Sequence, residues 1–169
     1  MQQLYIPVVH GAALERPDEA DTIATAHSVS ASLRRTGHLS DIIWVSPDLG
    51  ALDALARRRP ALVFNLVEAL GGEAAEALRA MERLEQLGLT YTGATASAFQ
   101  ASNSKLDSKV RFANEGLPTP AYWSAADDIP PDATLIIKSV EEHGSLGMDQ
   151  GSIVRGTEAK REMACRSAE

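Results

Sequence analysis

Residues 61–93 read ALVFNLVEALGGEAAEALRAMERLEQLGLTYTG, and a change of period inside that stretch decides the fold. The run ALVFNLV is apolar without alternation, the pattern of a strand covered on both faces as in a parallel sheet. After it the period lengthens: Ala77, Met81, Leu84 and Leu87 recur at helical spacing, which predicts an amphipathic helix closed by Gly88. LTYT then reads as another short strand.

The same alternation extends upstream. LYIPVV (4–9) fits a buried strand, and Pro17-Asp18-Glu19 carries helix-opening chemistry for a segment that closes near Thr36-Gly37. DIIWVS (41–46) is a second strand, and LGALDALARRR a short helix stopped by Pro60. Strands and helices in this order predict a parallel, doubly wound α/β domain.

Downstream of Gly93 the pattern changes. ATASAFQASNSKLDSKVRFANEG predicts one or two helices ending at Gly116, LPTPAYW an extended lead-in, TLIIKSV a strand, and EEHGSLGMDQG a loop. SIV follows as a strand and EAKREMACRSA as a last helix. A boundary near Ala96 divides the chain into residues 1–95 and a smaller α+β piece, 96–169.

Composition narrows the function classes. A chain of 169 residues suits one compact domain or two small ones, and 44% hydrophobic residues supply a core. A net charge of −7, with no basic run longer than Arg57-Arg58-Arg59, argues against nucleic-acid binding by phosphate neutralisation. A single cysteine, Cys165, forms no internal disulfide and fits a reducing cytosol. No apolar run approaches the ~18 residues of a membrane span and no leader pattern opens the chain, so a cytoplasmic location is expected. His10, His27, His38 and His143 lack the paired spacing of a metal site, and no G-x-S-x-G elbow occurs.

The sharpest chemistry is Lys138 followed by HGSLG. Alternation in TLIIK puts Ile136 and Lys138 on one strand face and Leu135 and Ile137 on the other, so Lys138 points toward the loop side. Gly144 and Gly147 let the backbone bend so that N–H groups face an anion, and Ser145 adds a hydroxyl. Alone, such a turn is a plain hairpin; Lys138, the upstream LPTP and Lys105 turn the reading toward a phosphate cradle. Lys105 and Lys109 lie four apart on one helical face, which by itself describes a solvated surface.

These segments, ALVFNLVEALGGE, LGLTYTG, SNSKLDSKVRFANEGLPTP and TLIIKSVEEHGSLGM, together resemble the D-alanine–D-alanine ligase branch of the ATP-grasp ligases. The resemblance implies a pre-ATP-grasp α/β domain followed by part of an ATP-grasp domain, with the portion that supplies the adenine pocket and magnesium carboxylates lying beyond Glu169. It implies ATP and Mg2+ as cofactors, with no magnesium ligands in these residues, and an amino acid or peptide as substrate. Lys105, Lys138, Gly144, Ser145 and Gly147 fall on the phosphate-binding positions, Lys138 and Ser145 being the catalytic ones. Glu15 falls on the glutamate that holds a substrate ammonium, or is an exposed turn residue. Glu68 stands where the ligases carry a histidine, and Glu73 matches a downstream acid or simply starts a helix. Gly144-Ser145 replaces a usual serine pair. The implied function is a portion of a carboxylate–amine ligase acting through an acyl phosphate, silent alone, and either completed by a C-terminal half on another chain or left by a gene interrupted downstream. The alternative is a non-catalytic binding or interaction module derived from such a ligase, its first domain retaining a homodimer surface or a weak phosphate site.

Overall fold

The computed structural model describes residues 2–12, 20–140 and 148–166. They form two compact units, residues 1–101 and 102–169.

In the first unit, β1 (Val8–His10), β2 (Ile42–Trp44) and β3 (Phe64–Leu66) form a parallel sheet in the order β2-β1-β3. Val8 aligns with Ile42 and Phe64, and Val9 with Ile43 and Asn65. Val8 and Val9 are both fully buried, so both faces of the central strand are covered. On the Val8 face, α1 (Ala20–Arg35) packs against β1 and β2 and borders an open groove floored by Phe64. On the Val9 face, α2 (Gly50–Arg57) and α3 (Ala77–Gln86) bring Leu52, Leu55, Ala77, Ala80 and Leu84 onto Val9, Val45, Val63 and Val67. Helices on opposite faces of a parallel sheet are the doubly wound arrangement that the strand and helix alternation predicts.

Helix ends follow their residues. At Gly88 (φ 66°) the chain turns left-handed, its N–H donates to Glu85 O, and the Leu89 N–H donates to Leu84 O. Those two bonds make a Schellman motif that satisfies the last carbonyls of α3. The segment expected to be helical from residue 73 begins as a 3-10 turn, Ala74–Glu76, before α3. The expected strand LTYT is a single parallel bridge, Val63 to Tyr91. Thr90 O accepts from the Val63 N–H and the Thr92 N–H donates to Val63 O, after which Gly93 (φ 103°) turns the chain away.

α4 (Ala96–Asn103) runs across the boundary between the units, and α5 (Lys105–Asn114) begins after a break at Ser104. In the second unit, β4 (Thr134–Ile136) pairs antiparallel with β5 (Ile153–Arg155), and α6 (Gly156–Arg166) packs against both strands and the 3-10 turn Ala126–Asp128. Gly156 is required there, because a Cβ would sit 1.9 Å from the Pro130 carbonyl oxygen.

Candidate functional site

The second unit places the lysines. Ser104 caps α5, its Oγ accepting from the Asp107 N–H at 3.2 Å, and so fixes Lys105 at the first helical position. Both the main-chain N–H of Lys105 (3.0 Å) and its Nζ (3.3 Å) donate to the carbonyl of Val140. Val140 lies two residues beyond Lys138, so a lysine borne on a helix is fastened to the segment that leaves β4. Along that segment Leu135 and Ile137 are half-buried, whereas Ile136 and Lys138 are exposed on the other side. The Ile137 N–H donates to Ser152 O at 2.9 Å, which carries the pairing one residue past β4 and holds Lys138 just beyond it.

Lys109 does something else. Its Nζ donates to Pro120 O (2.6 Å) and Thr119 Oγ1 (3.1 Å) and lies 5.3 Å from the centre of the Tyr122 ring. The second lysine of the SNSKLDSK pair thus ties the LPTPAY segment to α5, a structural role that spacing alone did not reveal. Gly144, Ser145 and Gly147 lie outside the described residues, as does Glu15.

The first unit places the carboxylates. In an open parallel sheet ligands collect outside the C-terminal ends of the strands, where the chain reverses its order across the sheet. Here that point lies between β1 and β3, and the loops following those two strands meet closely. A Cβ on Gly11 would come 1.9 Å from the Ala69 carbonyl oxygen, so only glycine admits this approach. The loop after β3 is held at both ends: Asn65 Oδ1 accepts from the Val67 N–H at 3.1 Å, and Leu70 and Glu73 exchange main-chain bonds across Gly71 (φ 60°) and Gly72 (φ 86°). Glu68 is exposed on this loop. Glu73 is also exposed and starts the 3-10 turn without a side-chain cap bond, which fits its helix-start reading. His10, given no role in the sequence, is buried at the end of β1, with Trp44 exposed beside it at the end of β2. An apolar strand ending in histidine gives no signal in one sequence that separates a packed residue from a site residue.

A carboxylate also organises the start of α4. One oxygen of Glu85 accepts from both the Tyr91 hydroxyl (2.8 Å) and the Ala96 N–H (2.8 Å). The Ala96 and Tyr91 bonds hold the Glu85 carboxyl below its usual range, while burial and the Glu85 bond push the Tyr91 phenol up to about 12. Among the described residues no three His, Cys, Asp or Glu side chains gather in a group able to hold a metal, and no helix is long and apolar enough to cross a membrane.

No family model matches the chain. The D-alanine–D-alanine ligase of Gloeobacter violaceus is 31% identical over 116 residues, covering 69% of this chain and 36% of that protein. The D-alanine–D-alanine ligase of Acidiphilium cryptum is 31% identical over 134 residues, covering 75% and 43%. A crystal structure of D-alanine–D-alanine ligase from Bacillus anthracis superposes with a TM-score of 0.53 at 20% identity, covering 71% of this chain and 37% of that one. The chain thus spans 36–43% of the length of these two curated relatives. Over most of its own length, in sequence and in fold, the chain is similar to part of the D-alanine–D-alanine ligases.

Proposed function

We propose that the chain is a portion of an ATP-dependent carboxylate–amine ligase that joins amino acids, or an amino acid and a peptide, through an acyl phosphate. Residues 1–95 serve as its pre-ATP-grasp domain and residues 96–169 as the first piece of its ATP-grasp domain. The observation that carries this reading is the pair of hydrogen bonds that the Lys105 N–H and Nζ donate to the Val140 carbonyl, which gathers a helix-borne ammonium to the segment that follows Lys138. Two lysines brought to one strand end suit the anionic oxygens of a phosphate, through charge-assisted hydrogen bonds. Gly144, Ser145 and Gly147 would add loop donors to the same oxygens.

The described residues fit the phosphate half of this chemistry; a magnesium ligand set is not among them. When bound, ATP with magnesium supplies the phosphoryl group that activates a carboxylate. Glu68, on the loop after β3, and Glu15, which follows β1 in sequence, would hold a substrate ammonium as its paired anions. The proposal leaves the identity of the amino acid to Glu68, which stands where the ligases carry histidine.

Alone, this chain binds nucleotide poorly. Charge-assisted hydrogen bonds are worth about 1.5–3 kcal/mol each, so Lys105, Lys138 and one loop donor supply about 4–9 kcal/mol. Association costs about 4–15 kcal/mol before any net affinity appears. The balance lies near zero, at or weaker than the millimolar range that corresponds to about 4 kcal/mol. Calorimetric titration with Mg-ATP, together with an assay for ADP release in the presence of D-alanine, tests this. Micromolar binding, or ADP release by the chain alone, contradicts the reading; Lys138→Ala should abolish any weak heat of binding that remains.

A further inference from the structure

The first unit is electrically polar along its strands. Its three parallel strands begin at one end of the sheet, and α1 and α2, each leading into the next strand, finish there. Residues 1–101 carry eight arginines and no lysine against twelve acidic residues, yet five of those arginines lie at this end. Arg34 and Arg35 close α1, Arg57 closes α2, and Arg58 and Arg59 follow it. Acidic residues collect at the other end: Asp21 opens α1, and Asp48, Glu68, Glu73 and Glu76 follow the C-terminal ends of β2 and β3. Basic residues in a last helical turn complement the helix dipole, which accounts for Arg34, Arg35 and Arg57. It does not account for Arg59. That residue stands just past the cap of α2 at φ 51°, the left-handed position that glycine usually fills. Arg57 and Arg59 are both exposed, and neither has a hydrogen-bond or ion-pair partner among the described residues.

The other three arginines are held by their own chain. Arg34 Nε donates to Ser40 O at 2.7 Å, Arg35 donates to Ser32 Oγ at 2.7 Å, and the Arg58 guanidinium lies 4.6 Å from the centre of the Tyr5 ring. Arg34 and Arg35 thus bond neutral acceptors, and no described carboxylate neutralises them. Asp41, the acid that stands among these residues, is taken up by Arg58 at 2.8 Å and by the Tyr5 hydroxyl at 2.8 Å. The strand starts run between the arginines of α1 and those after α2. The Leu39 N–H donates to Leu4 O at 2.8 Å and the Ala61 N–H to Tyr5 O at 2.9 Å, which sets Leu4 (36% exposed) beside Leu39 (55% exposed). Cations flank a narrow apolar strip.

We propose that this end of the first unit is a docking surface for an acidic segment of a partner polypeptide, with an apolar residue between its carboxylates to lie on Leu4 and Leu39. Planar guanidinium forks, three of them already oriented by their own chain, match carboxylates bidentately. Two partly exposed leucines seat one apolar side chain but do not reach the about 5–10 Å that an amphipathic helix sinks into a bilayer. Charge also sets the size of the partner. A short acidic segment meets only the arginines within a Debye length of about 8–10 Å, whereas a broad anionic surface also faces the rest of a chain of net charge −7. The surface lies at the opposite end of the strands from the loop that carries Glu68, away from where ligands of open parallel sheets collect, so it does not depend on the ligase reading.

The test titrates the full chain with a capped synthetic peptide of repeating Glu-Glu-Leu and follows backbone amide shifts. Saturable shifts at Leu4, Leu39 and Ala61 are expected, with Thr134 and Leu135 of β4 unmoved. A Gln-Gln-Leu peptide of equal length should bind at least about tenfold more weakly, and a Glu-Glu-Ser peptide about fivefold more weakly. Arg59→Gly separates binding from folding, since glycine suits the left-handed position: thermal stability should hold or rise while the peptide Kd rises about threefold to fivefold. Adding Arg57→Gln should bring the rise to about tenfold. Absence of shifts at Leu4, Leu39 and Ala61 overturns the proposal. So does a Kd unchanged in both arginine variants, or equal binding of either control peptide. Vesicles of phosphatidylglycerol and phosphatidylcholine are tested in parallel by sedimentation. Vesicle binding that is lost in Arg59→Gly, with no peptide binding, assigns the surface to a membrane and overturns the proposal. Shifts that grow with the concentration of the chain alone assign it to a second copy and also overturn it.

Discussion

Leu84→Ala is the substitution that most directly tests how the first unit holds its site. Leu84 is fully buried in the cluster that joins α3 to Val9, Val63 and Val67, and α3 follows the loop that carries Glu68 after one 3-10 turn. Truncation to alanine removes three carbons, worth about 2.4 kcal/mol at about 0.8 kcal/mol per buried CH2. If about 40 Å3 of cavity persists, it adds about 1 kcal/mol at about 24 cal/mol per Å3. The expected cost is about 3.4 kcal/mol, inside the about 2–5 kcal/mol span of such truncations. Leu87, only partly buried against the same cluster, should cost about half as much when truncated. Amide exchange of Val63 and Phe64 reads this unit alone, because their N–H groups donate to Thr90 O and Pro7 O at 2.8 Å within it. Where those amides exchange by opening of the whole unit, 3.4 kcal/mol corresponds to about 300-fold faster exchange. Acceleration below about fivefold, or a larger effect for Leu87→Ala than for Leu84→Ala, would refute the packing argument.

Gly11→Ala should displace the loop after β3, since the new methyl meets the Ala69 carbonyl at 1.9 Å; a loss of about 1–3 kcal/mol in urea unfolding is expected, and an unchanged midpoint counts against the close approach. Tyr91 has its pKa raised to about 12, so the stability from its hydrogen bond is complete below about pH 10 and is lost as pH rises through about 12. Tyrosinate absorbance should show that late titration vanish in Tyr91→Phe, and a loss of intensity near pH 10 instead would contradict the Glu85 bond. Glu85 has its pKa lowered, so its contribution is present above the ordinary glutamate range and is lost as pH falls through the depressed folded value. Glu85→Gln should flatten the acid limb of the thermal stability profile, and an unaltered limb would exclude the role. Lys109→Met should loosen residues 119–122, read as faster exchange of the Tyr122 amide, without affecting the bond from Lys105 to Val140.

The parallel sheet was legible because burial on both faces leaves a signature in composition: VV in β1 and ALVFNLV around β3 admit no solvent face, and Val8 and Val9 are indeed both buried. The break at Ser104 was also written locally, as a serine three residues before Asp107, although the sequence left one helix or two open. LTYT was not legible as a lone bridge, because its fate depends on Tyr91 reaching back to Glu85 and on the turn at Gly93. The alternation that exposes Ile136 and Lys138 together followed from period alone. What period cannot contain is a tie between residues 105 and 140, or the diversion of Lys109 to a proline carbonyl eleven residues away. Helical spacing puts Lys105 and Lys109 on one face; which irregular segment each one meets depends on tertiary structure.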